Sequence, residues 1–260
     1  APSADQANIG NPALKPYISD NLDLGVEYYT GREGVVSFNA FRKSIQGFTN
    51  QFVSTVPFSA LAQYGITYDT LNPTQQTAIN LRGGPSNASV QVTSQVNVPE
   101  KLTINGLEFQ WVQPLDFATR LIGVTGFGFN ANATIVDQTS KGAAQAYGVA
   151  PRTYNATLYY EKNGIMLRVS TTYRKGSQSS SANQNGIAAA ALFNDSYQQY
   201  DFSSAFDLDK LFGIKNAPQL TLNVANFTNA TLRSYFQYSN ATFTQYKPGR
   251  QFLIGLRGSF

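Results

Sequence analysis

The chain has 260 residues, of which 13% are charged, about half the share of an ordinary soluble domain. It has no Cys and no His, one Met and one Trp, and a formal charge of +4. These figures exclude disulfides, thiolate nucleophiles, Cys-based metal sites and every triad or metal motif that needs an imidazole. The pattern that recurs along the rest is period two. Leu22, Leu24, Val26 and Tyr28 alternate with Asp23, Gly25, Glu27 and Tyr29. Ile165, Leu167, Val169, Thr171 and Tyr173 alternate with Met166, Arg168, Ser170, Thr172 and Arg174. The same reading holds for Tyr200 to Leu208, for Leu220 to Ala225 and for Phe252 to Phe260. In a strand such sets face opposite sides.

The alternation predicts strands at 20–29, 34–48, 101–113, 117–134, 151–161, 165–175, 197–208, 218–227 and 249–260, and no long amphipathic helix. Most have the ~10 residues that a tilted membrane strand needs. Connections alternate in length: short at 30–33, 113–116, 161–164 and 209–217, long at 49–100, 135–150, 176–196 and 228–248. Long polar loops at every second connection all fall at one end of an antiparallel meander, as in a membrane β-barrel with short periplasmic turns and long extracellular loops.

A soluble sandwich would show the same alternation, its apolar face being core. Three features favour lipid. Aromatics gather toward strand ends, at Tyr28-Tyr29, Tyr159-Tyr160, Tyr173 and Phe260, as girdle residues would. The opposite face is rich in Asn, Gln, Ser, Thr and charge, which suits a wet lumen. The last strand closes on Phe260, the expected signal for barrel assembly. No run approaches the ~18 apolar residues of a membrane helix. The first residues, Ala1-Pro2-Ser3-Ala4-Asp5, do not read as a signal peptide. The scattered basic residues give no nucleic-acid footprint.

Other motifs have plainer readings. The glycines at 123, 126 and 128 resemble a phosphate loop without its helix and read as strand glycines. Asp195, Asp201, Asp207 and Asp209 are spaced like paired catalytic or calcium-binding acids but read better as lumen wall or turn caps. The loop 49–100 carries Tyr64, Tyr68 and Arg82. The tyrosines could stack on sugar rings or planar chelators, or pack a small loop core around a short helix at 57–65. All three residues are candidate ligand contacts.

Four segments carry a resemblance to a known family. Gly10-Asn11-Pro12-Ala13-Leu14-Lys15-Pro16 followed by Asn21 to Tyr29 closely resembles a loop-and-strand signature late in the barrel of TonB-dependent outer-membrane receptors, with Tyr17 where Glu is usual. Ile104 to Phe109, Leu222 to Asn229 and Pro248 to Phe260 resemble three further signatures of that family, in the family's order. The resemblance implies an all-β transmembrane antiparallel barrel of roughly 22 strands around a plug, of which residues 1–260 would be the C-terminal portion. About nine strands would be present and the plug with its TonB box absent. It implies a Gram-negative outer-membrane location and no enzyme activity or cofactor. Import of a scarce nutrient would be driven through TonB, reached by the missing plug, with the ligand held at extracellular loops that resemble the carbohydrate type slightly more than the siderophore type. The competing reading is a passive porin-like or adhesin-like barrel.

Overall fold

The computed structural model describes residues 6–31, 33–140, 144–180 and 191–258. Its first strands are β1 (Gln6–Ile9), β2 (Ile18–Tyr29), β3 (Val35–Gln46), β4 (Thr49–Pro57), β5 (Ser89–Asn97) and β6 (Leu102–Pro114). There follow β7 (Phe127–Thr139), β8 (Arg152–Lys162), β9 (Ile165–Arg174), β10 (Ser177–Ser180), β11 (Leu192–Asn194) and β12 (Tyr197–Asp207). The last are β13 (Gln219–Ala225), β14 (Leu232–Phe236), β15 (Thr242–Tyr246) and β16 (Gln251–Arg257). Three short helices, α1 (Pro73–Asn80), α2 (Asp116–Thr119) and α3 (Leu208–Phe212), lie in connections.

Nine strands form one sheet in the order β16-β13-β12-β9-β8-β7-β6-β3-β2. Every neighbour in that order is the next of these nine along the chain, so the sheet is a meander. From β6 to β16 the pairs are antiparallel. The sheet is not closed, because β2 and β16 lie at its two ends. Its tightest turn is Asn163-Gly164, both at positive φ, the conformation that a two-residue hairpin matching the strand twist requires.

The register shows which side chains share a face. Phe129, Leu158, Val169, Phe202, Val224 and Phe252 are directly opposite one another across six strands. The next row is Tyr160, Leu167, Ser204, Leu222 and Ile254. Ser204 keeps that face apolar by donating its hydroxyl to the Leu222 carbonyl at 2.9 Å. Arg168 and Arg174 fall on the other face, with Asn132, Asn155, Thr157, Ser170, Gln199 and Asp201. Ile254 is 76% exposed and Leu24 75%, although both belong to apolar sets. Among the described residues the buried apolar cluster lies elsewhere, around Phe58, Leu61, Ile79, Ala88, Val90 and Val92. Burying one such side chain is worth about 1.5–3 kcal/mol. A sheet that leaves so many outside a protein core is built for an apolar surrounding.

The chain divides into two compact units. The smaller comprises 1–20, 44–102 and 140–145; the larger comprises the rest and holds most of the nine-stranded sheet. In the smaller, β4 pairs antiparallel with β5, and β1 pairs parallel with β5 on its other side. The connections at 176–196 and 228–248 are expected from the sequence to be loops. They instead contribute a second sheet, β10-β11-β14-β15.

One predicted strand is misplaced. The segment 117–134 was read as a single strand, but 116–122 is helical and β7 starts at Phe127. Asp116 fixes the difference by accepting the Gly126 N–H at 2.6 Å, while Gly123 and Gly126 both take positive φ. Two of the three glycines read as strand residues are thus turn residues, and only Gly128 lies in the strand. No described helix is long and apolar enough to cross a membrane.

Candidate functional site

The polar face of the sheet is one component. Near the β2 end it forms an open groove of about 500 Å³ lined by Gly25, Glu27, Ser37, Asn39, Glu108, Gln110, Asn132 and Thr134. Glycines make room in this wall. The Phe41 ring occupies the space a Cβ on Gly106 would fill, and the Tyr159 ring does the same at Gly128. Tyr159 therefore lies on the polar face, while its neighbour Tyr160 lies on the apolar one. Asn155 donates to Asn132 at 2.9 Å, Thr157 shares a hydrogen bond with Ser170 at 2.9 Å, and Arg168 pairs with Glu161 at 3.2 Å. Hydroxyls, amides and charges thus satisfy one another across strands. The wall is wettable and pre-ordered.

The apolar face ends in aromatic rows. Toward the long connections, Tyr154 stacks on Tyr173 with ring centres 4.7 Å apart. Gln198 beside them donates to the Tyr154 hydroxyl at 3.1 Å and to the Tyr200 hydroxyl at 2.8 Å. Toward the short turns, Phe127 meets Tyr160 at 4.9 Å and Trp111 meets Phe129 at 4.8 Å. Tyr154 and Tyr160 are separated along β8 by about 20 Å at ~3.3 Å per residue. An apolar band bounded by two aromatic rows is the arrangement of the girdles of outer-membrane barrels.

The second sheet follows the ends of β9 and β12. Arg174 lies opposite Tyr197 where the pairing of those two strands ends, and Ser177 lies opposite Asn194 where the pairing of β10 with β11 begins. Phe193 and Tyr235 stack at 5.6 Å, with Arg233 5.3 Å from the Tyr235 ring. Arg233 pairs with Asp195 at 2.8 Å and donates to Thr242 at 3.0 Å and to the Ser239 carbonyl. It thereby fastens the β14–β15 hairpin to β11.

Tyr64, Tyr68 and Arg82 all belong to the smaller unit. The helical segment expected at 57–65 is a 3-10 turn, Phe58–Tyr64, with Phe58 and Leu61 buried. Tyr64 ends it and is exposed. Tyr68 packs against the buried cluster, and its hydroxyl accepts from Asn80 at 2.8 Å. Arg82 is half-buried just after α1. Only Tyr64 of the three presents a ring to its surroundings. Phe260 lies outside the described residues.

The acids read as turn caps act as such. Asp207 accepts the Lys210 N–H at 3.3 Å at the start of α3, and Asp209 accepts the Asn216 N–H at 3.2 Å. Asp201 accepts the Asn226 N–H at 2.7 Å.

Sequence reasoning missed why its recognisable segments have those residues. Asn226 is buried at positive φ and donates to the Gly249 carbonyl at 2.9 Å, while its side-chain oxygen accepts the Ala230 N–H at 2.7 Å. Arg250 donates to the Phe227 carbonyl at 2.7 Å. These bonds clamp the end of β13 to the start of β16. Similarly, Asn11 donates to the Gln95 carbonyl at 3.0 Å, and the Asn97 side chain bonds both the N–H and the carbonyl of Lys15. These partners are too distant in sequence for spacing to reveal.

The family model described as TonB dependent receptor-like, beta-barrel matches residues 1–227. No curated protein sequence matches the chain. Among solved structures, a chain of the FpvAI–pyocin S2 complex is similar with a TM-score of 0.59 at 13% identity, over 95% of this chain and 28% of that one. A point mutant of the ferric enterobactin receptor PfeA of Pseudomonas aeruginosa is similar with a TM-score of 0.59 at 18% identity, over 96% of this chain and 32% of that one. At those identities the likeness concerns the fold, and this chain spans about a third of either neighbour or less. With one face apolar from girdle to girdle, the other polar, and the family matched over most of its length, the chain belongs to the TonB-dependent receptor-like β-barrels.

Proposed function

We propose that this chain is the C-terminal portion of the barrel of an outer-membrane receptor that imports a scarce nutrient, a carbohydrate or an iron chelate, with energy delivered through TonB. The observation that carries the reading is the register, which sets a largely apolar face from β7 to β16 against a polar one. The apolar face meets lipid and the polar face lines the lumen around a plug borne by another part of the receptor. Ligand meets the chain at the long connections; of the candidates Tyr64, Tyr68 and Arg82, the exposed Tyr64 ring is the proposed first contact.

The test is nutrient uptake by the full-length receptor in cells with and without TonB. Uptake of an oligosaccharide or a ferric siderophore that stops without TonB supports the reading, and the substrate that responds names the class. Uptake that persists without TonB and follows concentration linearly would indicate a passive porin instead. Phe260 is proposed as the assembly signal. Its deletion should lower the amount of folded receptor in the outer membrane while the remainder binds ligand as before.

A further inference from the structure

The connections after β6 (115–126) and β12 (208–218) carry more apolar surface than a turn needs. In the first, Leu121 is 88% exposed and Ile122 77%, with Phe117 and Val124 exposed beside them. In the second, Phe212 and Ile214 are exposed at 69% and 58%. Turn residues on a water-facing rim are ordinarily polar, and single exposed hydrophobics mean little. Here they recur on two connections that share one rim.

The two are joined through the hairpin between them. Glu161 donates its N–H to the Gly126 carbonyl at 2.8 Å, and Asp207 donates its N–H to the Gly164 carbonyl at 2.7 Å. A Cβ on Gly164 would lie 2.9 Å from the Lys210 Cβ, so hairpin and α3 are in contact. Directly beyond this row, on the strands, begins the aromatic end of the apolar face, with Phe127, Tyr160 and the opposed pair Ile165 and Phe206. The exposed turn residues thus follow directly on the aromatic end of the apolar face.

Charge on the same turns is arranged to suit a phosphate layer. Asp116 and Asp209 are occupied by backbone N–H groups, and Asp207 faces the Lys210 ammonium at 3.2 Å. Arg120 and Lys215 stand beside Leu121 and Ile214. Exposed apolar side chains next to cations are the composition of an interfacial segment, which seats its apolar groups among the upper acyl carbons and its cations at the headgroups. Segments this short would bind weakly alone, but these are held in place by the strands on either side.

We propose that the helical turns at 116–122 and 208–212 are seated in the headgroup layer of the phospholipid leaflet on the short-connection side. Leu121, Ile122, Phe212 and Ile214 enter the acyl boundary, and Arg120 and Lys215 meet lipid phosphates. The rim is then a second lipid contact, beyond the strand face, that fixes how deep the barrel sits. This inference rests on the membrane reading above.

The test uses the full-length receptor in phospholipid nanodiscs of phosphatidylethanolamine and phosphatidylglycerol. Single spin labels are placed through Leu121→Cys and Phe212→Cys, with Val169→Cys on the apolar sheet face and Ser170→Cys on the polar face as controls. Each label is scored by collision with oxygen, which enriches in acyl chains, against a water-soluble nickel chelate. Labels at 121 and 212 that favour oxygen, as the one at 169 does, support the proposal. If the label at 169 favours oxygen while those at 121 and 212 favour the chelate, the rim is aqueous, and the proposal falls while the membrane reading stands. If 121 and 212 are shielded from both reagents, a protein segment covers them and the proposal is equally overturned. If 169 favours the chelate, both readings fall.

Discussion

Tyr64 and Tyr68 are the same residue type four positions apart, and their surroundings assign them different work. Tyr68 is packed against Ile79 and its neighbours and hydrogen-bonded to Asn80, so its ring is already in use. Tyr64 presents an exposed ring at the end of a 3-10 turn. Replacing Tyr64 by Ala should weaken uptake with receptor abundance unchanged, read by a transport assay beside an immunoblot. Replacing Tyr68 by Ala should make the segment 49–100 more susceptible to limited proteolysis, because a packed aromatic contact and a hydrogen bond are lost together. Asn226 is a stricter case. Asn226→Ala removes two donors and an acceptor from a buried clamp and places Ala at positive φ, which should cost about 1–3 kcal/mol for the unsatisfied groups alone. The fall is read from the temperature at which the folded receptor loses its altered gel mobility.

At the scale of the element, glycine and aromatic side chains act as pairs. Phe41 lies on Gly106, where an added Cβ would overlap the ring atoms. Gly106→Ala should therefore destabilise the β3–β6 pair by about 1–3 kcal/mol, as overpacking does. Combining it with Phe41→Leu should recover part of the loss, and a double-mutant cycle on the denaturation midpoint measures the coupling. Elements also show where sequence reading succeeds and where it stops. The faces of β9 are legible because Leu167, Val169 and Thr171 alternate strictly with Arg168, Ser170 and Thr172, and side-chain direction in a strand is a period of two. The turn at 116–122 is not, because Phe117, Leu121 and Ile122 suit a strand as well as a helical turn, and a single carboxylate, Asp116, decides between them. The second sheet is illegible for another reason: β11 has three residues and owes its existence to β14, far along the chain.

For the whole molecule, the two faces make opposite demands on charge. Val169 sits mid-strand on the apolar face, and Ser170 is its neighbour on the polar one. An arginine at the middle of a lipid face costs about 2–4 kcal/mol, whereas a lumen position tolerates it. Val169→Arg should therefore reduce folded receptor in the outer membrane, while Ser170→Arg leaves its amount near that of the parent. Equal tolerance at both sites would mean that the apolar face meets something other than lipid. The open ends of the sheet add a second requirement. The outer backbone groups of β2 and β16 have no partner strand in the described sheet, and in hydrocarbon each unsatisfied group costs several kcal/mol. The chain expressed alone should fail to insert into lipid vesicles in a protease-protected form, and co-expression with the remaining strands should restore protection.

The clasp of Arg233 on Asp195 and the pairing of β11 with β14 bear on recognition by antibodies. On the proposed reading, with the long connections on the exterior, that surface is a conformational epitope whose halves are encoded far apart. Serum raised against a linear peptide spanning 232–246 should stain denatured receptor on a blot and leave intact cells unlabelled. Antibodies selected on the folded protein should lose binding on Phe193→Ala, a change outside the hairpin they touch.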